Sequence, residues 1–470
     1  MSDESTISFL ERKLRNLIGQ SESQGKRRPL PIPSRIVFGL LLLIVAGTAL
    51  LMTPWVTVGR PLTLGEALFT ATSALTVTGL TIISAGPDLT LLGQLILLGL
   101  IQIGGVGYMF AAVLMMRLVG RHVPLIDRLA LSSSLGLNTP AAILKIFKRS
   151  FYGILMIEGM GALLLYWHWQ ANGVVASEDT FFYALFHAIS AFCNAGFDLF
   201  SGLADYPDGI PKDNVSLIIK GVLIILGGLG IPVLSELFTL NWRRRLTLHT
   251  RVTLTVVAAL TVAGWFGLFV PEARAGGVLE NAPLGEQLLH TLFQSISTRT
   301  AGFAGITNFP EVRPESQLLM MGLMFIGSAP ASMGGGITTG TFAVLLLALW
   351  GYARGFPTAR VAGRRLTIGT VRRAGAVLTV SLALVFLATW LILLTHDLPL
   401  SAILFEVISA FATCGLSLGI TPDLNLFGRL IILITMIWGR LGALTIVLAI
   451  AHQRTHDRLV EYPEESILIG

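Results

Sequence analysis

Four glycines stand in one frame: Gly79, Gly196, Gly302 and Gly415, at intervals of 117, 106 and 113 residues. The segments that carry them read EALFTATSALTVTGL, YALFHAISAFCNAGF, HTLFQSISTRTAGF and ILFEVISAFATCGL. None sets a nucleophile beside a base or gathers a set of metal ligands. What a glycine turn supplies is backbone, free to aim carbonyl oxygens at one axis. A ring of such oxygens can replace the hydration shell of an alkali cation. The chemistry implied is transfer of a dehydrated monovalent cation, with no bond made or broken. One glycine alone is better explained by close helix packing. Four, each behind the same pattern, favour the ring.

The frame extends upstream. Ten residues before the glycines stand Phe69, Phe186, Leu292 and Phe405, and six before them Ser73, Ser190, Ile296 and Ser409. The third segment has Ser295 and Ser297 on either side of its odd isoleucine and fits less cleanly. Matches at a near-regular period indicate one unit duplicated in series. The short apolar stretch before each glycine is too short to cross a bilayer and reads as a re-entrant helix. Irregular backbone at membrane depth is tolerated where it is buried in protein or lines a water-filled path.

The elements that must hold these turns follow from composition. Of 470 residues, 53% are hydrophobic and 13% charged, against about 25% charged in an ordinary soluble domain. The mean hydropathy is +0.74. This excludes a disulfide scaffold, a disordered chain and most soluble enzymes, and the two cysteines, Cys193 and Cys414, form no disulfide framework. Apolar runs fall at about 36–53, 90–117, 146–169, 215–240, 250–270, 316–350, 371–395 and 425–451. The expected fold is therefore an all-α polytopic membrane protein, with eight transmembrane helices in four span–pore-helix–span repeats around one ion pore. The repeats are placed at 36–120, 121–245, 246–355 and 356–452, with tails at 1–35 and 453–470.

Charge supplies orientation. One set of connections carries Arg117, Arg121, Arg128, Lys145, Lys148 and Arg149, then Arg243, Arg244, Arg245 and Arg251, then Arg354, Arg360, Arg364, Arg365, Arg372 and Arg373. The opposite connections carry acids such as Glu178, Asp205, Asp213, Glu272, Glu311 and Asp423. The positive-inside bias puts the basic side and both termini in the cytoplasm of a plasma-membrane protein. The net charge of +6 is thus an orientation signal, and nucleic acid is not an expected partner. No cleavable signal is expected. Residues 9–18 read either as a basic surface helix or as a solubilising tail. Only some twenty mostly polar residues follow Ile450, so a cytosolic regulatory domain is expected on a separate protein.

Two interruptions stand out. The sixth run is broken by GSAPASMGGGITTGTF (327–342), which holds Gly327, Gly334, Gly335, Gly336, Gly340 and Pro330. Such a stretch cannot stay a regular helix. An interrupted span points to an ion path, and this one is expected to obstruct the pore below the third turn and to swing aside. A phosphate-binding loop is excluded because no Gly-Lys-Ser/Thr follows. Arg440 lies about 15 residues into the last run, roughly 22 Å deep, where a charge faces a cavity or a partner. Asp198, two residues after Gly196, reads either as a carboxylate at the outer mouth that concentrates cations or as a solvated loop carboxylate. His187, Glu406 and Arg299 are expected to brace pore helices. Glu158 has no evident partner, and the two cysteines are expected to be packing residues. With no HExxH and no clustered ligand set, the chain is not expected to be an enzyme or to hold a cofactor.

The segments TVTGL (76–80), NAGFD (194–198), TAGF (300–303) and TCGL (413–416), with IQIGGVGYM (101–109) and GRLGALT (439–445), resemble the Trk/Ktr/HKT superfamily of potassium transporters. The likeness is closest to the Ktr-type membrane subunits and covers about residues 36–452. It implies potassium uptake through a filter lined by Val77, Thr78, Gly79; Asn194, Ala195, Gly196; Thr300, Ala301, Gly302; and Thr413, Cys414, Gly415. It also implies a homodimer in the lipid bilayer, bound to a ring of cytosolic nucleotide-binding regulatory subunits (KtrA-like). Residues 327–342 become an intramembrane gate, and Arg440, in the family's Gly-Arg motif, helps to hold it. The family commonly follows its triple glycine with Ile-Lys; here Ile337-Thr338 stands there, which removes a charge at the gate. A serine in place of the first filter glycine favours sodium in this superfamily, so Gly79 favours K+ as the transported ion. Na+ as activator, or a sodium or non-selective carrier on the same fold, stays open.

Overall fold

The structure is a computed structural model that describes residues 32–106, 143–175, 178–206, 209–238, 246–356, 358–361 and 363–442. The expected surface helix at 9–18, the basic residues Arg117–Arg128 and Arg243–Arg245, and both tails except residues 32–35 lie outside the described residues.

Each segment expected as a repeat, and called one below, opens with a helix: α1 (Ile32–Leu51) in the first, α4 (Ile143–Asn172), α8 (Leu248–Glu272) and α12 (Ile368–Leu393) in the others. A short helix follows in each: α2 (Leu64–Thr76), α5 (Thr180–Phe192), α9 (Leu284–Thr298) and α13 (Leu400–Ala412). At 13 to 15 residues these are too short to cross a bilayer. The closing helices are α3 (Leu91–Val106) in the first repeat, α6 (Asn214–Gly228) with α7 (Ile231–Phe238) in the second, α10 (Pro314–Phe325) with α11 (Thr339–Ala353) in the third, and α14 (Leu426–Leu441) in the fourth. A two-stranded hairpin, β1 (Arg360–Val361) with β2 (Arg364–Arg365), links α11 to α12.

Local chemistry sets the helix starts. Thr63 and Glu66 form a capping box at α2: the Glu66 amide donates to Thr63 Oγ1 and the Thr63 amide to Glu66 Oε2. Asp213, Thr247, Thr338, Thr367 and Asn425 cap α6, α8, α11, α12 and α14 through their side chains.

Two of the apolar runs are broken, one of them as expected. The break in the sixth falls where the glycine stretch predicts it, between Phe325 and Thr339. The fourth, expected as one helix over 215–240, is instead bent by 104° between α6 and α7. The cause is local: Gly230 turns at φ +86° and Pro232 brings no amide hydrogen to continue the ladder. Among the described residues three helices (α4, α8 and α12) are long and apolar enough to cross a membrane, or four if the bent pair counts as one. The second and eighth runs were placed past Val106 and Leu441, and their last parts lie outside the described residues.

The repeats pack in a closed circuit. The closing helix of each touches the short helix of the next: α3 with α5, α6 with α9, α10 with α13, and α14 with α2. Phe69, Phe186, Phe293 and Phe405, one per short helix, are buried in the cores so formed. Outward, the molecule shows Phe38, Trp167, Val270, Leu349 and Phe386. An apolar exterior around a core rich in buried threonine and serine is the pattern of a protein whose solvent is lipid.

Candidate ion filter and gate

The backbone at each turn repeats a pattern that sequence does not display. Val77, Asn194, Thr300 and Thr413, two residues before each glycine, take φ of 57°, 56°, 88° and 49°. Gly79, Gly196, Gly302 and Gly415 follow at 88°, 68°, 77° and 94°. Left-handed backbone at a β-branched or other non-glycine residue costs on the order of 1–3 kcal/mol and persists only where the surroundings over-determine it. Four such residues in one frame mark a built feature.

The turns close on one another. A Cβ on Gly79 would strike the Ala195 carbonyl oxygen and lie 3.1 Å from Gly196 Cα. On Gly196 it would meet the Ala301 oxygen and Gly302 Cα, on Gly302 the Cys414 oxygen and Gly415 Cα, and on Gly415 the Thr78 oxygen and Gly79 Cα. The circuit runs through the four repeats in chain order and returns to the first. Each glycine is thus required twice: for its φ, and because its neighbour's carbonyl occupies the space of a side chain. Among the expected filter residues, Thr78, Ala195, Ala301 and Cys414 supply those carbonyls. The Asn194 side-chain amide bonds Thr300 Oγ1 at 3.1 Å, joining the second and third repeats.

A serine ties each turn to its helix. The Ser73, Ser190, Ser297 and Ser409 carbonyls accept from the amides of Thr78, Ala195, Ala301 and Cys414, each at 2.8 Å. Their hydroxyls reach across the turn as well: Ser73 and Ser409 accept from Gly79 and Gly415, while Ser190 and Ser297 donate to the Phe197 and Phe303 carbonyls. This corrects the frame of the third repeat. Ser297, not Ile296, is the counterpart, because that turn is one residue shorter. Phe293 then replaces Leu292 as the partner of Phe69, Phe186 and Phe405.

One helix turn further back, a second tie binds the stretch after each of three glycines. His187 Nε2 meets Asp198 Oδ1 at 3.0 Å, Gln294 Oε1 accepts from the Gly305 amide, and Glu406 accepts from the Ser417 and Thr421 hydroxyls. His187 and Glu406 therefore tie their short helices to the stretches that follow Gly196 and Gly415. Asp198 also accepts from the Phe200 and Ser201 amides and from Ser201 Oγ. Burial alone pushes this carboxyl up, but the His187 ring, Ser201 and the Phe200 amide together outweigh it and hold it below its ordinary value. Asp198 lines a cavity of about 320 Å³ with all four filter glycines. The cavity is reached by residues after all four glycines.

Beneath the ring lies the loop between α10 and α11. A Cβ on Gly334 would strike Thr300 Oγ1, and one on Gly335 would lie 2.7 Å from Thr413 Oγ1. The triple glycine thus runs directly against Thr300 and Thr413, the first residues expected of the filter in the third and fourth repeats. Gly327 packs on the Gly335 carbonyl, Gly336 turns at φ +76°, and Gly340 packs on Pro330. The loop is docked on the bend between α6 and α7: Ala329 donates to the Gly228 carbonyl at 3.0 Å, and Ile231 to that of Ala331 at 3.1 Å. A Cβ on Gly230 would lie 2.7 Å from the Pro330 oxygen. Sequence reading missed this dock, although LGGLGIP (226–232) carries its signal.

Arg440, near the end of α14, bonds the Met333 carbonyl of the loop and the Gly104 and Gly105 carbonyls of α3. It joins the first, third and fourth repeats at one point. Thr338 serves as the cap of α11, accepting from the Thr341 amide at 3.4 Å. Arg299 bonds the Val257 and Gly327 carbonyls, a brace between α8 and the start of the loop. Glu158, left without a partner by sequence, receives Gln102 Nε2 at 3.0 Å and lies beside Cys193. Cys414 donates to the Thr298 carbonyl at 3.3 Å. Gly104, Gly227 and Gly439, in closing helices, would meet the Leu75, Phe192 and Phe411 carbonyls if given a Cβ. They let those helices approach the ends of the short helices, a role that the residue pattern alone does not reveal.

Residues 39–462 match the family model described as TrkH, cation transport protein. The chain belongs to this family. The Ktr system potassium uptake protein B of Bacillus subtilis (strain 168) is 35% identical over 445 residues, covering 93% of this chain and 96% of that protein. The potassium/sodium uptake protein NtpJ of Enterococcus hirae is 34% identical over 459 residues, with 94% and 98% covered. The protein B of the Ktr system of Vibrio alginolyticus is 34% identical over 441 residues, with 93% and 95% covered. The crystal structure of the potassium transporter TrkH from Vibrio parahaemolyticus has the same fold, with a TM-score of 0.72 over 91% of this chain and 86% of that one, at 18% identity. The TrkH-family chain described here is thus a mostly helical, multi-pass membrane protein that transports cations, and not an enzyme. The resemblance to Ktr-type membrane subunits holds.

Proposed function

We infer that this chain takes up K+ across the cell membrane through one filter, gated by the loop at 327–342. The observation that carries the reading is the closed circuit of four glycine turns, each abutting the next repeat's carbonyl. Backbone oxygens at fixed spacing can substitute for the water shell of a monovalent cation without binding it through full charges. Val77, Asn194, Thr300 and Thr413 form the inner end of this path and the glycines its outer end, under a mouth biased by Asp198. The loop obstructs the path just below Thr300 and Thr413, and Arg440 latches it to α3. The names of the relatives support potassium. That of NtpJ supports a second reading, in which sodium is also carried or acts as activator.

The remaining parts of the reading concern surroundings. Eight spans in four repeats place both termini and the basic connections in the cytoplasm. The exposed apolar faces allow a homodimer, each subunit with its own pore, and a cytosolic nucleotide-binding ring acts on the gate from the basic side. The deciding experiment is rubidium uptake into liposomes that contain only this chain, with excess potassium or sodium as competitor. Block by potassium alone is expected. Equal block by both ions would favour the second reading. If no flux appears even with a cognate regulatory ring added, the filter assignment fails.

A further inference from the structure

A crevice of about 450 Å³ lies beside the gate loop, between α8, α11 and α12. Its two ends differ in chemistry. At one end are His249, Thr370 and Arg373, near the starts of α8 and α12. At the other are Pro330, Thr338 and Gly340, where the loop enters α11. Between them the wall is aliphatic, with Val252, Val344 and Leu347 along it. From Thr338 to Leu347 is about 13 Å of helix at 1.5 Å per residue.

Arg373 is exposed, and no described carboxylate pairs with it. Glu236, the acid nearest His249, already accepts from the Thr247 amide and from the Thr247 and Thr250 hydroxyls. Leu346, Leu349 and Trp350 on α11 are exposed, so the crevice adjoins an apolar outer surface. Arg360, Arg364, Arg365 and Arg372 cluster in sequence beside its cationic end.

We propose that this crevice seats one anionic phospholipid, its headgroup phosphate at Arg373 and an acyl chain along Val344 and Leu347 toward the gate loop. The inference rests on the orientation above, which puts Arg373 at the cytoplasmic interface. A cation at the rim of an aliphatic slot fits a molecule with a phosphate at one end and methylenes at the other. A free phosphate would leave the aliphatic wall bare, and a neutral lipid would leave Arg373 without a counter-charge.

The test is native mass spectrometry of the purified full chain with phosphatidylglycerol, with phosphatidylcholine, and with inorganic phosphate as competitor. Retention of phosphatidylglycerol over phosphatidylcholine is expected, with no displacement by phosphate. Arg373→Gln should lower retention about fivefold, the worth of one interfacial cation. Val344→Phe, which fills the slot, should lower it as well, with the elution volume of the variant checking its fold. Equal retention in the wild type and Arg373→Gln would overturn the proposal, as would displacement by inorganic phosphate, which would mark a soluble-anion site. Binding is read without flux. A chain that retains lipid but passes no rubidium fails only the transport reading, and one that transports without retaining lipid fails only this one.

Discussion

At the scale of single residues, the filter glycines are under two constraints that act together. A serine at Gly79 or Gly196 would place Cβ against the Ala195 or Ala301 oxygen. The ring must then open or lose a carbonyl. Either substitution should reduce preference for potassium over sodium by about tenfold, the worth of roughly 1.4 kcal/mol, read as competition in rubidium uptake. Unchanged preference in both would remove these turns from the filter. Asp198 is held below its ordinary value, so its charge is present above that value and is lost only as pH falls through the lowered one. The difference in uptake between wild type and Asp198→Asn at limiting rubidium should therefore hold steady as external pH falls from neutral to about 5. Asp198→Asn should raise the half-saturating rubidium concentration a few-fold at low ionic strength, with the maximal rate preserved and the effect shrinking in salt. The residues legible in sequence are those whose side chains or missing side chains follow the period. Glu158 was not among them, because its partners Gln102 and Cys193 come from other elements.

At the scale of elements, the gate loop is a short irregular segment held by two docks. One is the bend between α6 and α7, through backbone bonds at Ala329 and Ala331. The other is Arg440, through carbonyls only. Shortening 327–340 should raise basal rubidium flux, and Arg440→Ala should do so with expression preserved. If both leave flux at the wild-type level, the obstruction lies elsewhere. Sequence exposed the loop because glycine and proline punctuate it, yet it concealed the dock because backbone-to-backbone contacts leave no side-chain signature beyond the glycines of LGGLGIP. The off-by-one fit of the third repeat has a similar origin. A turn shortened by one residue shifts the frame, and only the carbonyl of Ser297 accepting from the Ala301 amide at 2.8 Å reveals the true counterpart. By family resemblance Thr338 marks a missing charge. In place it caps α11, so the loop's exit is fixed by a hydroxyl at the helix start.

At the scale of the whole molecule, the charge alternation and the closed circuit of turns are separate supports for the proposed reading. The first bears on which side faces the cytoplasm, and the second on where the proposed path runs. A cysteine in place of Arg365, in the hairpin strand β2, should label with a membrane-impermeant thiol reagent only from the cytoplasmic side, against low background because Cys193 and Cys414 are buried. Labelling from outside would invert the topology. The circuit also bears on inheritance. Channels assembled from four separate chains can be poisoned by one faulty copy in the mixture. Here all four quarters are joined in one polypeptide, with Gly415 returning to Thr78 of the same chain. A cell carrying normal and filter-dead copies should lose conduction in proportion to the dead share, and filter mutations in this protein should behave as recessive.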